Sequence, residues 1–137
     1  MPFSALLIGH ESLLVQCGAM LLEAGHGIRG VVTRNSDVRD WAEGQSLVVH
    51  TPGEDLVDRL ANTEFDWLLS IANLDLLPQA LLDQALKGAI NFHDGPLPRY
   101  AGLNAPVWAL LSGEPQHGIS WHIITSGVDE GDIITQR

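Results

Sequence analysis

The chain has 137 residues, enough for one compact domain with a hydrophobic core. Hydrophobic residues make up 45% and charged residues 18%, a balance that excludes an intrinsically disordered protein. Seven basic and seventeen acidic residues give a formal net charge of −10. Because the basic residues are scattered, the sequence does not indicate a surface for binding a nucleic-acid backbone.

The cysteine count and the N-terminus indicate where the protein works. Cys17 is the one cysteine, so an internal disulfide is excluded and a reducing compartment is favoured. The first ten residues lack the basic region and the long apolar run of a signal peptide. No stretch reaches the roughly 18 apolar residues of a membrane helix. We therefore expect a cytoplasmic protein without a membrane partner.

The first part of the chain has the pattern of a βαβ unit. Residues 3–8 are an apolar run that predicts a buried strand, which Gly9 closes. From Leu13 to Ala24, apolar residues recur at three- and four-residue spacing, which predicts a helix ended by Gly25. Residues 28–33 predict the second strand. A strand, a helix and a strand in this order favour a parallel sheet covered by helices.

The same pattern continues to the end of the chain. Further strands are predicted over 47–49, 67–71, 89–92, 120–124 and 132–135; helices over 54–61, 78–86 and 105–111; and a loop over 94–102. The sequence therefore predicts an α/β fold with a Rossmann-like, open, mostly parallel sheet and helices on both faces. We expect one domain over 1–137, truncated at the C-terminus, because the last predicted strand has nothing to cover or pair it.

Polar residues with catalytic chemistry follow two of the predicted strands. Asn91 and His93 are two residues apart at a strand end, so an extended backbone points both to one side. An amide and an imidazole can together stabilise a developing oxyanion, and the imidazole can exchange a proton with an amine. Asp129, in a later turn, could hold the imidazole in its charged form or accept a proton through water. By spacing alone, a structural role for the Asn-x-His pair and a turn-forming role for Asp129 are the commoner cases.

Other candidate sites are weaker. His10, His26, His50, His117 and His122 lack metal-ligand spacing, so we interpret them as ordinary surface or core residues and expect no metal. The turn after the first strand lacks the G-x-G-x-x-G pattern, which leaves dinucleotide binding there unsupported. Cys17 lies on the apolar face of its predicted helix and is expected in the core.

Several motifs in fixed order resemble the folate-dependent formyltransferase family, which includes methionyl-tRNA formyltransferase, glycinamide ribonucleotide formyltransferase and formyltransferase modules of peptide synthetases. The segment 91–102 reads NFHDGPLPRYAG and is similar to the signature loop of that family. The segments 106–111 (PVWALL), 117–120 (HGIS) and 128–134 (VDEGDII) are similar to the elements that follow it. The similarity covers about residues 68–136, and before that it is mostly architectural.

The resemblance implies a formyl donor and a role for each matching residue. Asn91 and His93 would polarise the formyl carbonyl of 10-formyltetrahydrofolate, while Asp129 would orient His93 and help remove the amine proton. The loop after the fourth strand would hold the pterin ring. Its apolar wall would come from Leu74, Leu76 and Leu77, and backbone groups of Leu76, Ser126 and Val128 would pair with the ring. The alternative is that these leucines only pack beneath the following helix.

The chain departs from the family pattern after the histidine. Many relatives read Ser-Leu-Leu-Pro where this chain has Gly95-Pro96-Leu97-Pro98, so a hydroxyl contact with substrate at residue 95 is in doubt. The loop is most similar to formyltransferase modules of peptide synthetases. That similarity implies an amino acid or aminoacyl amine as acceptor and a fused or neighbouring biosynthetic domain as partner.

Three questions stay open on the sequence alone. A sugar amine or an aminoacyl-tRNA is also a possible acceptor, although the charge of −10 argues against tRNA. A folate-binding or structural module without turnover is a second class of function. A formyltetrahydrofolate hydrolase of the same fold is a third, and release of formate without an amine would reveal it.

Overall fold

A computed structural model describes residues 1–73, 75–95, 97, 99, 101–102, 105–114, 116–124 and 131–137. The strands in chain order are β1 (Ser4–Ile8), β2 (Gly27–Val32), β3 (Val49–His50), β4 (Phe65–Ser70), β5 (Ala85–His93), β6 (Ser120–Ile123) and β7 (Ile133–Gln136). The helices are α1 (Ser12–Glu23), α2 (Ser36–Gly44), α3 (Leu56–Arg59), α4 (Gln79–Leu82) and α5 (Ala105–Leu111).

The strands form one mixed sheet with the order β3-β2-β1-β4-β5-β6-β7. Neighbours are parallel from β3 to β5, and β6 and β7 are antiparallel additions. The predicted open, mostly parallel α/β sheet is therefore confirmed. The strand order reverses between β1 and β4, the kind of place where open α/β sheets bind ligands.

Glycine is required where β1 and β4 end side by side. A side-chain carbon at Gly9 would lie 2.2 Å from the carbonyl oxygen of Ile71, which is closer than two such atoms can approach. The Ile71 amide also donates to the Ile8 carbonyl at 2.8 Å. The two strand ends are thus joined directly at the point of reversal.

Two hydrophobic clusters lie on opposite faces of the sheet. One packs β-strand residues beneath α3 and α4, with members that include Leu6, Leu56, Leu60, Leu68, Leu81 and Ala89. The other packs beneath α1 and α2, with members that include Leu7, Leu14, Val31, Val38, Ala42 and Ile71. Alternate residues of one strand supply opposite clusters, as a pleated strand covered on both faces requires.

The helix α2 was not predicted. Its sequence, SDVRDWAEG, is mostly polar, and it buries only Val38 and Ala42. Asn35 caps it, because the Asn35 side-chain oxygen accepts from the amides of Asp37 and Val38 at 2.8 and 3.1 Å. Trp41 packs on α1 at Gly18, where a side-chain carbon would lie 2.4 Å from the indole. Interhelical packing explains this tryptophan, which the sequence pattern does not.

The largest errors in predicted boundaries lie next to each other in the chain. The predicted helix over 78–86 ends at Leu82, and β5 begins at Ala85 instead of residue 89. The cause is pairing with the neighbouring strand, since Ala85 lies opposite Phe65 and Gly88 opposite Trp67. Tertiary pairing here overrides a local helical pattern. The helix predicted over 54–61 is present as the shorter α3, and the strand predicted over 47–49 overlaps β3 only at Val49.

The length and apolar character of a helix decide whether it can cross a membrane. None of the helices in the described ranges combines the length and the apolar character that a bilayer crossing needs.

Candidate active site

Asn91 and His93 lie at the carboxyl end of β5, as predicted. In the antiparallel pairing with β6, Asn91 is opposite His122 and His93 is opposite Ser120. Directly opposed residues share one face of a sheet, so these four side chains lie together. The intervening pair, Phe92 and Trp121, points to the other face and makes an edge-to-face contact with ring centroids 5.3 Å apart.

This face collects most of the buried polar side chains. The described residues include five buried polar or charged residues, namely Thr33, Ser70, His93, Ser120 and His122. Four of these lie around Asn91, because Ser70 is also its register partner on β4. Burying polar groups in one place is costly unless they are paired. A buried polar cluster at the ligand-binding edge of an α/β sheet is therefore a candidate active site.

The amide of Asn91 is held by His122. His122 Nδ1 lies 3.0 Å from the carbonyl oxygen of Ile123, which can only accept, so the ring proton belongs on Nδ1. His122 Nε2 is then an acceptor, and Asn91 Nδ2 donates to it at 3.2 Å. This assignment follows from the hydrogen-bond network. It turns the second hydrogen of Nδ2 and the Oδ1 atom of Asn91 away from His122.

The contact between His122 and Asn91 was not predicted, because His122 was interpreted as an ordinary surface or core residue. His122 is 2% exposed and is 31 residues from Asn91 in sequence. The spacing of histidines along the chain carries no information about register across β5 and β6. The sequence signal for this contact is the alternation of side chains along β6, where Trp121 and His122 face opposite sides of the sheet. One of those sides must supply the partners of Asn91 and His93.

The loop after His93 packs closely on its ring. A side-chain carbon at Gly95 would lie 2.9 Å from His93 Nε2 and 3.1 Å from the Ala105 side chain. The Ser120 hydroxyl donates to the Gly95 carbonyl at 2.7 Å. His117 Nε2 donates to the carbonyl of Asp94. The backbone that follows His93 is thus held by hydrogen bonds from Ser120 in β6 and from His117, which precedes β6.

A second loop borders the site after β4. Ala72 has a φ of +50°, a left-handed conformation uncommon for a residue with a side chain. Asn73 Nδ2 donates to the Ser70 hydroxyl at 3.3 Å. The Asp75 carboxylate accepts from Arg34 at 2.7 Å, and Arg34 also contacts the His10 ring at 3.2 Å. These contacts connect the loop after β4 to the ends of β1 and β2.

The predicted folate-binding leucines differ in exposure. Leu76 is 82% exposed, so its side chain is accessible to a ligand. Leu77 is partly buried and packs against the cluster beneath α3 and α4. Leu74, Ser126, Val128 and the predicted catalytic Asp129 lie outside the described residues. The catalytic and folate-binding roles of all these positions stay predictions.

Among the described residues, neither metal-ligating side chains nor a reactive thiol form a site. In the part of the chain that the structure describes, no group of three or more His, Cys, Asp and Glu side chains is arranged to hold a metal. Cys17 packs against the cluster beneath α1 and α2, and burial raises the pKa of its thiol. A raised thiol pKa disfavours the reactive thiolate, which fits the predicted core position.

The sequence and the fold are both similar to known formyltransferases. A family model described as formyl transferase matches residues 24–137. A methionyl-tRNA formyltransferase from Alkaliphilus oremlandii is 28% identical over 95% of this chain, but the match spans only 47% of that relative.

Solved structures extend the likeness to the whole fold. A glycinamide ribonucleotide transformylase from Geobacillus kaustophilus superposes on all of this chain and on 82% of its own with a TM-score of 0.86 and 18% identity. A formyltetrahydrofolate deformylase from Pseudomonas syringae pv. tomato superposes on all of this chain and on 51% of its own with a TM-score of 0.84 and 22% identity.

Proposed function

Because the chain belongs to the formyl transferase family, we propose that it transfers the formyl group of 10-formyltetrahydrofolate to a primary amine. The observation that carries this proposal is the buried polar cluster around Asn91, which adjoins the point where the strand order reverses. The chain spans less than half of its methionyl-tRNA formyltransferase relative. The proposal therefore concerns the half that carries Asn91 and His93.

In the proposed reaction, the amine nitrogen attacks the formyl carbon and a new carbon–nitrogen bond forms. Negative charge develops on the formyl oxygen, and the bond to N10 of the donor then breaks. The amine loses one proton and N10 gains one, so the products are an N-formyl amine and tetrahydrofolate. No covalent enzyme intermediate is required, because the amine itself is the nucleophile.

Asn91 and His93 suit the two demands of this reaction. One Nδ2 hydrogen of Asn91 is engaged by His122, and the second is proposed to donate to the formyl oxygen. A preorganised amide donor of this kind stabilises an oxyanion. The imidazole of His93, on the same face, can exchange a proton with the amine. Asp129 is proposed to keep His93 oriented, a role that rests on the sequence resemblance.

The donor is proposed to lie against the loop after β4. Leu76 offers an exposed apolar side chain there, next to the strand that carries Asn91. Flat heteroaromatic ligands favour such apolar contacts together with a few backbone hydrogen bonds. Leu74, Leu77 and the backbone near Ser126 and Val128 are proposed to complete this pterin site.

The acceptor is proposed to be the amino group of a free or carrier-bound amino acid, which a fused or neighbouring biosynthetic domain would deliver. The net charge of −10 supports this choice over a tRNA, because an acidic surface repels a phosphate backbone. A sugar amine would meet no such repulsion, so the amine assay below includes one.

The test is formyl transfer by the full chain and by Asn91→Asp, which keeps the shape of the side chain but removes the N–H donors. Loss of one oxyanion donor lowers kcat by about 10²–10³-fold in other enzymes, and we expect a similar loss here. Asn62→Asp is the matched control, because it adds the same charge at an exposed turn. Amino acids, an amino sugar and a charged tRNA are compared as acceptors.

The outcomes separate the competing functions. Formyl transfer that Asn91→Asp lowers by about 10²-fold or more and Asn62→Asp retains supports the proposal. Release of formate without any amine would indicate hydrolysis, the activity named for the Pseudomonas syringae structure of the same fold. Tight folate binding with neither product would indicate a binding module.

A further inference from the structure

The backbone after His93 is bound by two side chains from the strands beyond it. The described residues shortly after His93 include Gly95 and the buried Leu97, which is 4% exposed. Ser120 of β6 makes hydrogen bonds to Gly95 and to Leu97. Gln136 of β7 makes hydrogen bonds to Leu97 and to Ser120. Ser120 and Gln136 are register partners in the β6–β7 hairpin. We call this pair of side chains the clasp.

The hydroxyl of Ser120 has no bonding capacity to spare. Ser120 is fully buried and donates its one hydrogen to the Gly95 carbonyl at 2.7 Å. It accepts from the Leu97 amide at 3.1 Å and from Gln136 Nε2 at 2.9 Å. One donor and two acceptor sites are the full capacity of a hydroxyl. Removing any partner would leave a buried polar group unsatisfied.

The amide of Gln136 is committed in the same way. Its Nε2 atom lies 2.5 Å from the Leu97 carbonyl oxygen and 2.9 Å from the Ser120 hydroxyl. A carbonyl oxygen only accepts, so the nitrogen and not the oxygen of the side chain faces the loop. Both Nε2 hydrogens are then used within the clasp.

The clasp bears on His93 through Gly95. The backbone of Gly95 lies so close to the ring that a side-chain carbon there would be 2.9 Å from His93 Nε2. A shift of Gly95 therefore changes the space available to the imidazole. In the reaction proposed above, displacement of a reacting group by about 1 Å can lower the rate by about 10²-fold.

We propose that Gln136, acting through Ser120, is a positioning residue that holds the loop after His93 in its reactive conformation. It does not touch the substrate. The inference rests on the proposed function for its kinetic consequence. It also makes the conformation of the loop depend on β7, a strand whose residues are all exposed.

The test compares Gln136→Glu with Gln16→Glu. Glutamate at 136 keeps the shape but cannot donate, whereas residue 16 is exposed on α1 and controls for the added charge. We expect Gln136→Glu to lower kcat about tenfold while the KM for the folate donor changes little. Hydrogen exchange of the Leu97 amide should speed up about tenfold, with no change at the Ile123 amide in β6.

A second variant separates positioning from folding. Ser120→Ala removes the hydroxyl and should lower kcat and speed up Leu97 exchange, while an unchanged far-UV circular dichroism spectrum would show that the chain still folds. A wild-type kcat in Gln136→Glu, or unchanged Leu97 exchange, would overturn the inference. Failure of the proposed function would look different, because the wild-type protein itself would then transfer no formyl group.

Discussion

The position of His93 depends on the absence of a side chain at residue 95. With a side-chain carbon, residue 95 would approach the imidazole to 2.9 Å and the Ala105 side chain to 3.1 Å. Both contacts are tighter than packed atoms tolerate without shifting. Glycine thus lets the imidazole and the loop occupy adjacent space.

Gly95→Ala should therefore displace His93 and leave the folate site in place. We expect kcat to fall by about tenfold or more, because a small misplacement of a catalytic group is costly, while folate affinity stays within about twofold. Steady-state kinetics and calorimetry measure the two effects. Gly44→Ala is the control, since nothing lies within 4 Å of its added carbon. Equal activities of the two variants would contradict this account of residue 95.

The residues that surround Asn91 were only partly predictable from sequence. Asn91 and His93 belong to one local motif at a strand end, which spacing and resemblance both indicate. Ser70, Ser120 and His122 are brought to them by pairing with β4 and β6. Such partners depend on register between strands that are far apart in sequence, and a local pattern does not contain that register.

At the scale of elements, strands were predicted more accurately than helices. Apolar runs indicated every strand of the parallel region, because those strands are covered on both faces. The helix α2 has only a narrow apolar stripe at Val38, Trp41 and Ala42, which the polar composition concealed. Its start signal was present in Asn35, an N-cap residue followed by an acidic residue in the first turn.

The cap at Asn35 gives a stability prediction for α2. Asn35→Ala removes the oxygen that accepts from the amides of Asp37 and Val38. We expect the free energy of unfolding in urea to fall by about 1 kcal/mol, the usual cost of losing an N-cap. Asn62→Ala in an exposed turn should change it by less than about 0.5 kcal/mol. Equal effects of the two substitutions would show that the cap contributes nothing specific.

In the molecule as a whole, the hydrophobic core and the polar candidate site occupy different parts of the sheet. Both hydrophobic clusters lie within the region from β1 to β5, whereas Asn91, His93 and their β6 partners lie at its border with the antiparallel strands. The fold class followed from the order of the predicted elements alone. The junction of parallel and antiparallel strands, where the polar cluster lies, could not be predicted from that order.

His50, on the edge strand β3, is expected to make the free energy of unfolding depend on pH. Burial, with a smaller effect of the Arg59 guanidinium, lowers the pKa of His50 below its usual value of 6.5. Near and below pH 6.5 the unfolded chain therefore binds a proton that the folded chain resists. The free energy of unfolding should fall with decreasing pH across this range, and His50→Gln should reduce that fall.

Urea denaturation at pH 8 and pH 5.5 measures this effect, with the two proteins compared at each pH so that the shared carboxylates cancel. The free energy of unfolding of the wild type, relative to that of His50→Gln, should be lower at pH 5.5 than at pH 8. A difference that is the same at both pH values would show that His50 titrates equally in the folded and unfolded chains.

We propose that the edge of the sheet at Asn91 binds the formyl donor. Calorimetric titration with 10-formyl-5,8-dideazafolate, a stable analogue with its formyl group at N10, tests it most directly on the wild type, Asn91→Ala and Asn62→Ala. We expect micromolar binding, about −8 kcal/mol, which weakens in Asn91→Ala and is unchanged in Asn62→Ala. A folded wild-type chain without binding, or equal binding by all three proteins, would contradict it.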